Sequence, residues 1–168
     1  MIGVWNMSLH SVIEHLKKFD KDTEILQYEG SSATVQQAAD VLGVIPARIA
    51  KTLSFKVNDE TVIIVAAGDA KIDNAKFKSL FKVKAKMLTS DEVPVITGHP
   101  IGGVCPFGLA NTLPVYFDLS LKRFKTVFPA CGSVNSAIEV TCAELEQIVG
   151  NATWIDVCKE WESSLLEV

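Results

Sequence analysis

Hydrophobic positions along this chain follow two rhythms, and the switches between them mark its elements. Leu9, Val12, Ile13 and Leu16 recur at steps of three and four, which predicts an amphipathic helix with Ser8 as its N-cap. "EILQYEG" then reads as a strand. A second helix is bounded by its own chemistry: Thr34 and Gln37 make a capping box, Val35, Ala38, Ala39 and Leu42 share one face, and Gly43 ends it. "IPARIA" reads as a short helix with Pro46 in its first turn. In "KTLSFKV" the period drops to two, with Leu53, Phe55 and Val57 on one face of a strand and Thr52, Ser54 and Lys56 on the other. Asn58-Asp59-Glu60 is a turn, and the wholly apolar "TVIIVAAG" predicts a strand buried on both faces.

The second half reads the same way. "NAKFKSLF" predicts a helix, and in "KVKAKM" the residues Val83, Ala85 and Met87 face inward while the lysines face water. Thr89 to Glu92 is a second capping box, opening a short helix that ends before Gly98. Strands follow at "PVYFD", "KTVF", "SAIEV" and "TWIDV", with a helical turn near "SLKRF". A third capped helix runs from Thr141 and Glu144 to Gly150, and the tail holding Trp161 reads as helix. Strands and helices mix without strict alternation. That predicts an α+β domain on a mixed, strongly curved, barrel-like sheet flanked by helices. No segment reads as a linker, so residues 1–168 are expected to form a single domain with a real core.

Composition narrows the picture. No apolar run approaches the roughly 20 residues that cross a bilayer. The N-terminus has no signal-peptide pattern, so a cytoplasmic protein is expected, without a membrane partner. Cys105, Cys131, Cys142 and Cys158 show no CxxC or CxxH spacing and read as free thiols. His10, His15 and His99 are not grouped with them, and neither metal nor other cofactor is expected. A net charge of −4 argues against a dedicated nucleic-acid binder. One window softens that: Lys71, Lys76, Lys78, Lys82, Lys84 and Lys86 stand with Asp73 as the only acid among them. Such a window suits a phosphate backbone, or simply a solvated face.

Two features suggest chemistry. By strand parity Lys51 points with the apolar set, although burying an ammonium without a partner is costly. Either its tip snorkels to solvent, or it is a cation at the mouth of a pocket for an anionic or carbonyl ligand. The second feature is "HPIGGVCPFG", His99 to Gly108. Gly102 and Gly103 can adopt positive φ and present consecutive N–H groups, Pro106 stiffens the exit, and Gly108 frees the backbone after Phe107. A row of main-chain donors is what a carbonyl turning into an oxyanion needs, though glycine with proline also makes ordinary turns. Cys105, six residues after His99, admits a thiol-nucleophile reading; against it, His99 reads as a turn residue and Cys105 as apolar filler. Trp154 and Trp161 read as packing. Asp118 and Glu139 read as strand-end charges, Glu139 being the better site candidate because it interrupts "AIEV".

An inward lysine opening a strand, "GHPIGGVCPFGL" downstream and "ACGSVNSAIEVTCAEL" after it resemble the YbaK/ProX family, the free-standing relatives of the editing domain in bacterial prolyl-tRNA synthetases. The resemblance runs from the first helix to "TWIDV". It implies a trans-editing aminoacyl-tRNA deacylase that hydrolyses the ester of a mischarged tRNA, foremost tRNA(Pro) carrying cysteine, alanine or a similar small residue. Lys51 matches the lysine such proteins need, holding the terminal phosphate or the aminoacyl group; Gly102 and Gly103 match the loop that holds the aminoacyl carbonyl. Phe55, Val104, Cys105, Pro106, Phe107, Gly108, Ser133, Asn135 and Ser136 are the expected substrate-binding set. Attack comes from water, a ribose hydroxyl or the substrate's own side chain, with no protein nucleophile. The implied partners are the acceptor end of aminoacyl-tRNA and prolyl-tRNA synthetase or another translation factor, not DNA. Two departures bear on specificity: Cys105 stands where other members often carry serine or proline, and "CGSVNS" lacks a histidine that some branches carry. The alternative is a tRNA- or synthetase-binding module that keeps the fold without the chemistry.

Overall fold

A computed structural model describes residues 4–161. Helix α1 (Val4–Lys17) begins more than a turn before the predicted cap. Ser8 therefore lies within the helix, buried, with its hydroxyl on His99 Nδ1 rather than on a helix N–H. Helix α2 (Val35–Leu42) forms as predicted: both capping-box bonds of Thr34 and Gln37 are present, and Gly43 closes it at φ +69°. "IPARIA" shortens to one 3-10 turn, Pro46–Arg48, because Ile49 and Ala50 already belong to strand β2 (Ile49–Val57). From Ala50 to Val57, β2 pairs antiparallel with β3 (Glu60–Ala67), in which residues 62–67 are all buried.

The remaining strands are β1 (Leu26–Gln27), β4 (Lys71–Ile72), β5 (Val115–Asp118), β6 (Phe128–Pro129), β7 (Ser136–Ala137), β8 (Ala152–Ile155) and β9 (Cys158–Lys159). Three further helices, α3 (Asn74–Phe81), α4 (Glu92–Thr97) and α5 (Cys142–Val149), sit between them. The main sheet is five-stranded and curled, in the order β6-β2-β3-β5-β8, antiparallel at β2–β3 and parallel at every other pairing. β1–β7 and β4–β9 are two-residue ladders at its margins. This is the mixed, curved α+β fold that the sequence predicts.

The main core gathers Ile63, Ile64, Phe77, Phe117, Leu121 and Leu145. A satellite cluster of Ala38, Ala39, Ile49 and Phe128 packs α2 against β2 and β6. Asp118 ends β5, as the sequence reading has it, and is fully buried, its carboxylate accepting from the N–H groups of Ser120 and Val157, each at 2.9 Å. Two expectations change. Met87 is more than half exposed rather than inward. Trp161 lies in coil beneath the Arg123 guanidinium, 5.0 Å from its ring centroid, and the tail beyond it lies outside the described residues. Among the described residues no helix is long and apolar enough to cross a membrane.

Candidate functional site

A cavity of about 430 Å³ opens between α2, strand β2, the segment from Met87 to Val93, and the turn carrying Ile101, Gly102 and Val104. Its lining is mostly apolar, and among the described residues Lys51 is the one charged residue in it. Lys51 is half-buried, and its ammonium donates to the carbonyl of Ala70 and lies 3.5 Å from that of Gly68. An ammonium has three N–H groups, so one remains for a ligand. Burial pulls its pKa below the usual lysine value, opposed by Cys158 and Asp69 nearby. The carbonyls that hold it are themselves pinned. Asp69 forms a bidentate pair with Arg123 (2.9 and 2.5 Å), and the Ala67 N–H donates to Ser120 Oγ at 3.1 Å.

The glycine turn departs from expectation in one informative way. Gly103 N–H donates to the Pro100 carbonyl at 2.9 Å, closing a four-residue turn with Gly102 at φ +88° in its third position, as a type II turn requires. A side chain on Gly102 would also meet Ala33 Cβ at 2.7 Å. Gly103 does not have positive φ, and its N–H is occupied by the turn. It is glycine because the Ser133 backbone passes where a Cβ would be, with the nitrogen at 2.7 Å. The predicted pair of consecutive donors is therefore replaced by an alternating one. Gly102 and Val104 both line the cavity, and their N–H groups have no partner among the described residues.

After Val104 the chain turns away from the cavity. Cys105, Pro106 and Phe107 are buried, and Gly108 packs on α1, where Ser11 Oγ donates to its carbonyl at 3.0 Å. None of these four lines the cavity, so their expected place in a substrate wall is corrected: they anchor the turn to α1. Phe55 is likewise a core residue, 2% exposed and 5.0 Å from the Phe77 ring. Of the trio in "CGSVNS" only Ser136 reaches the cavity. Ser136 bonds Ser133 Oγ at 2.6 Å, Ser133 donates to Asn135 Oδ1 at 3.0 Å, and the Asn135 amide donates to the Tyr28 carbonyl at 3.0 Å. Glu139 is exposed and pairs with Arg48 and Thr126 outside the cavity.

The thiol reading fails on access and on protons. Cys105 Sγ does lie 3.6 Å from His99 Nε2, but both side chains are fully buried. Because Nε2 faces the Phe107 carbonyl at 2.9 Å it must carry the proton, and it cannot also take one from the thiol. Burial pushes the Cys105 thiol up to about 12, far from a thiolate at neutral pH.

Several lining residues escaped the sequence reading. Tyr28 donates from its hydroxyl to Ser32 Oγ at 2.7 Å, and Ser32 donates on to the Val134 carbonyl at 3.0 Å. Thr34, Thr52, Ser54 and Ser90 complete a polar rim. The Thr52 hydroxyl is buried with no partner among the described residues. The available signal was the polar row Thr52 and Ser54 on a strand whose other face is core.

Fold and cavity together define an α+β domain with a mostly apolar cavity that Lys51, Gly102 and Val104 line. The aminoacyl-tRNA editing domain matches residues 29–148, and the chain belongs to that family. The uncharacterized protein YwhH of Bacillus subtilis (strain 168) is 57% identical over 157 residues, 93% of this chain and 100% of its own length. A proline–tRNA ligase of Solidesulfovibrio magneticus is 38% identical over 90 residues, which are 52% of this chain and 15% of the ligase. A solved structure described as a candidate trans-editing enzyme for prolyl tRNA synthetase superposes with a TM-score of 0.82 at 27% identity, covering 90% of this chain and 97% of its own.

Proposed function

We propose that the chain acts as one domain that hydrolyses the ester between a wrong amino acid and the terminal adenosine of a tRNA, tRNA(Pro) first among them. The observation that carries this is that Lys51, Gly102 and Val104 line one cavity, while one Lys51 N–H and the main-chain N–H groups of Gly102 and Val104 have no partner among the described residues. In this reading the ester carbonyl sits against Gly102 and Val104, whose donors are already in place for the developing oxyanion. Each such donor is worth about 2.7–4 kcal/mol of transition-state stabilisation. Lys51 holds the terminal phosphate or the aminoacyl group.

Among the described residues no cysteine, histidine or carboxylate lines the cavity, which supports attack by water, a ribose hydroxyl or the substrate's own side chain. An aminoacyl ester is already reactive, and holding it in a near-attack geometry supplies several kcal/mol more. The apolar wall of Val35, Ala38, Leu42 and Ile49 suits a small side chain such as that of alanine or cysteine. Partners of this activity are the tRNA acceptor end and, as one route of delivery, prolyl-tRNA synthetase.

The test is a deacylation panel of tRNA(Pro) charged with alanine, cysteine, serine and proline. Release of one or two small residues, with proline left in place, is the expected result. Salt-dependent tRNA binding with no turnover on any member overturns hydrolysis in favour of a binding module.

A further inference from the structure

Of the six lysines between positions 71 and 86, four make no ion pair among the described residues. Lys78 is exposed on α3; Lys82, Lys84 and Lys86 are exposed along the segment leading to the cavity, while Val83 and Ala85 between them pack on the core. Lys84 and Lys86 stand two positions apart with the half-buried Ala85 between them, and both side chains are exposed. Lys78 and Lys84 flank one surface groove with Asn74, Ala75 and Ala85. Their neighbours are neutralised: Lys71 pairs with Glu160, Lys76 with Asp156, and Lys56 with Glu92. None of the four makes an ion pair among the described residues.

Position and backbone add to charge. The Lys86 carbonyl accepts from the N–H of Lys56 on β2, and the next residues, Met87 and Leu88, line the cavity. The cationic strip thus ends at the cavity mouth. Lys82 occupies the left-handed C-terminal position of α3 at φ +64°, where glycine or asparagine is the usual occupant. A cation is kept there at a backbone cost.

We propose that Lys78, Lys82, Lys84 and Lys86 form a docking strip for the phosphodiester backbone of an RNA stem whose acylated 3′ end enters the cavity. This rests on the function proposed above. The strip contributes affinity without base reading, because lysine meets phosphate as a point charge. It acts on binding and leaves the chemical step alone.

The experiment titrates uncharged tRNA against the parent protein and against Lys78→Gln/Lys82→Asn/Lys84→Gln/Lys86→Gln across a salt series. Asparagine at 82 removes the charge and tolerates positive φ. The expected result is an affinity loss of about tenfold or more at low salt, and a salt slope shallower by about one unit per lysine removed. The same four positions changed to arginine keep the parent's affinity. Hydrolysis of a short acylated CCA oligonucleotide, which has no stem to dock, stays at the parent's rate. Unchanged tRNA affinity and slope overturn the strip, as does an equal loss on the short oligonucleotide. If the quadruple variant melts early, Lys84→Gln/Lys86→Gln carries the same comparison with half the slope change. A parent that binds tRNA through these lysines yet deacylates nothing keeps the strip and removes the hydrolase.

Discussion

Lys51 keeps its ammonium against the carbonyls of Gly68 and Ala70, with burial drawing its pKa below the ordinary lysine value. The unfolded chain therefore holds that proton more tightly than the folded one. The folded state carries the cost of burying that charge. Stability must then rise with pH between the lowered pKa and 10.5, because the unfolded state binds more protons in that window. Lys51→Met should accordingly be more stable than the parent at pH 7, with the difference shrinking as pH climbs toward 10.5. Thermal melts of the two proteins from pH 7 to 10.5 check both sign and window. A variant less stable than the parent at pH 7 contradicts this account of the lysine.

Legibility at this scale divided by range. Lys51 was readable because strand parity is local, and it set one lysine among apolar neighbours. The reason for Gly103 was not readable, since it is the backbone of Ser133, thirty positions away, that excludes a side chain there. The same holds for Cys105, Phe107 and Gly108: sequence placed them in the loop, and only contact with α1 shows that they face away from the cavity.

At the scale of elements, the helices with capping boxes were found by their own ends, because Thr34 with Gln37 and Thr141 with Glu144 satisfy N–H groups within a single turn. α1 was misplaced because the serine that resembled its cap lies inside the helix and bonds a histidine across the fold. β1, β6 and β7 were read as strands but are only two residues long, while β4 and β9 carry too few positions for any period to show and are created by pairing with each other. One element-level device follows from the structure alone. The Asp69–Arg123 pair fixes residues 68–70, and those residues fix Lys51. Asp69→Asn keeps the volume, removes the charge and frees the carbonyls to drift. Its expected effect is a stability loss of about 1–3 kcal/mol, with a fall in kcat larger than any change in KM. Chemical denaturation and steady-state deacylation measure the two parts, and an unchanged kcat separates that pair from the site.

Over the whole molecule, charge is sorted rather than spread. A chain of net charge −4 keeps one exposed run of cations, and that run ends where the cavity begins. The sheet curls so that β2 serves both sides: Phe55 enters the main core, and Ile49 with the residues up to Ser54 lines the cavity. Domain-wide placement of this kind links an anionic, extended ligand outside to a small acyl group inside. Neither half alone distinguishes an editing hydrolase from a binding module. The cavity's donors do so only if removing one of them stops the reaction.

The decisive quantity is the single-turnover rate at which Lys51→Met releases the amino acid from whichever mischarged tRNA(Pro) the parent deacylates. With the fold intact by thermal melting and the tRNA saturating, a drop of about 10²-fold or more is expected. Release at the parent's rate would show that the ammonium and the Gly102–Val104 donors do not act together on the ester.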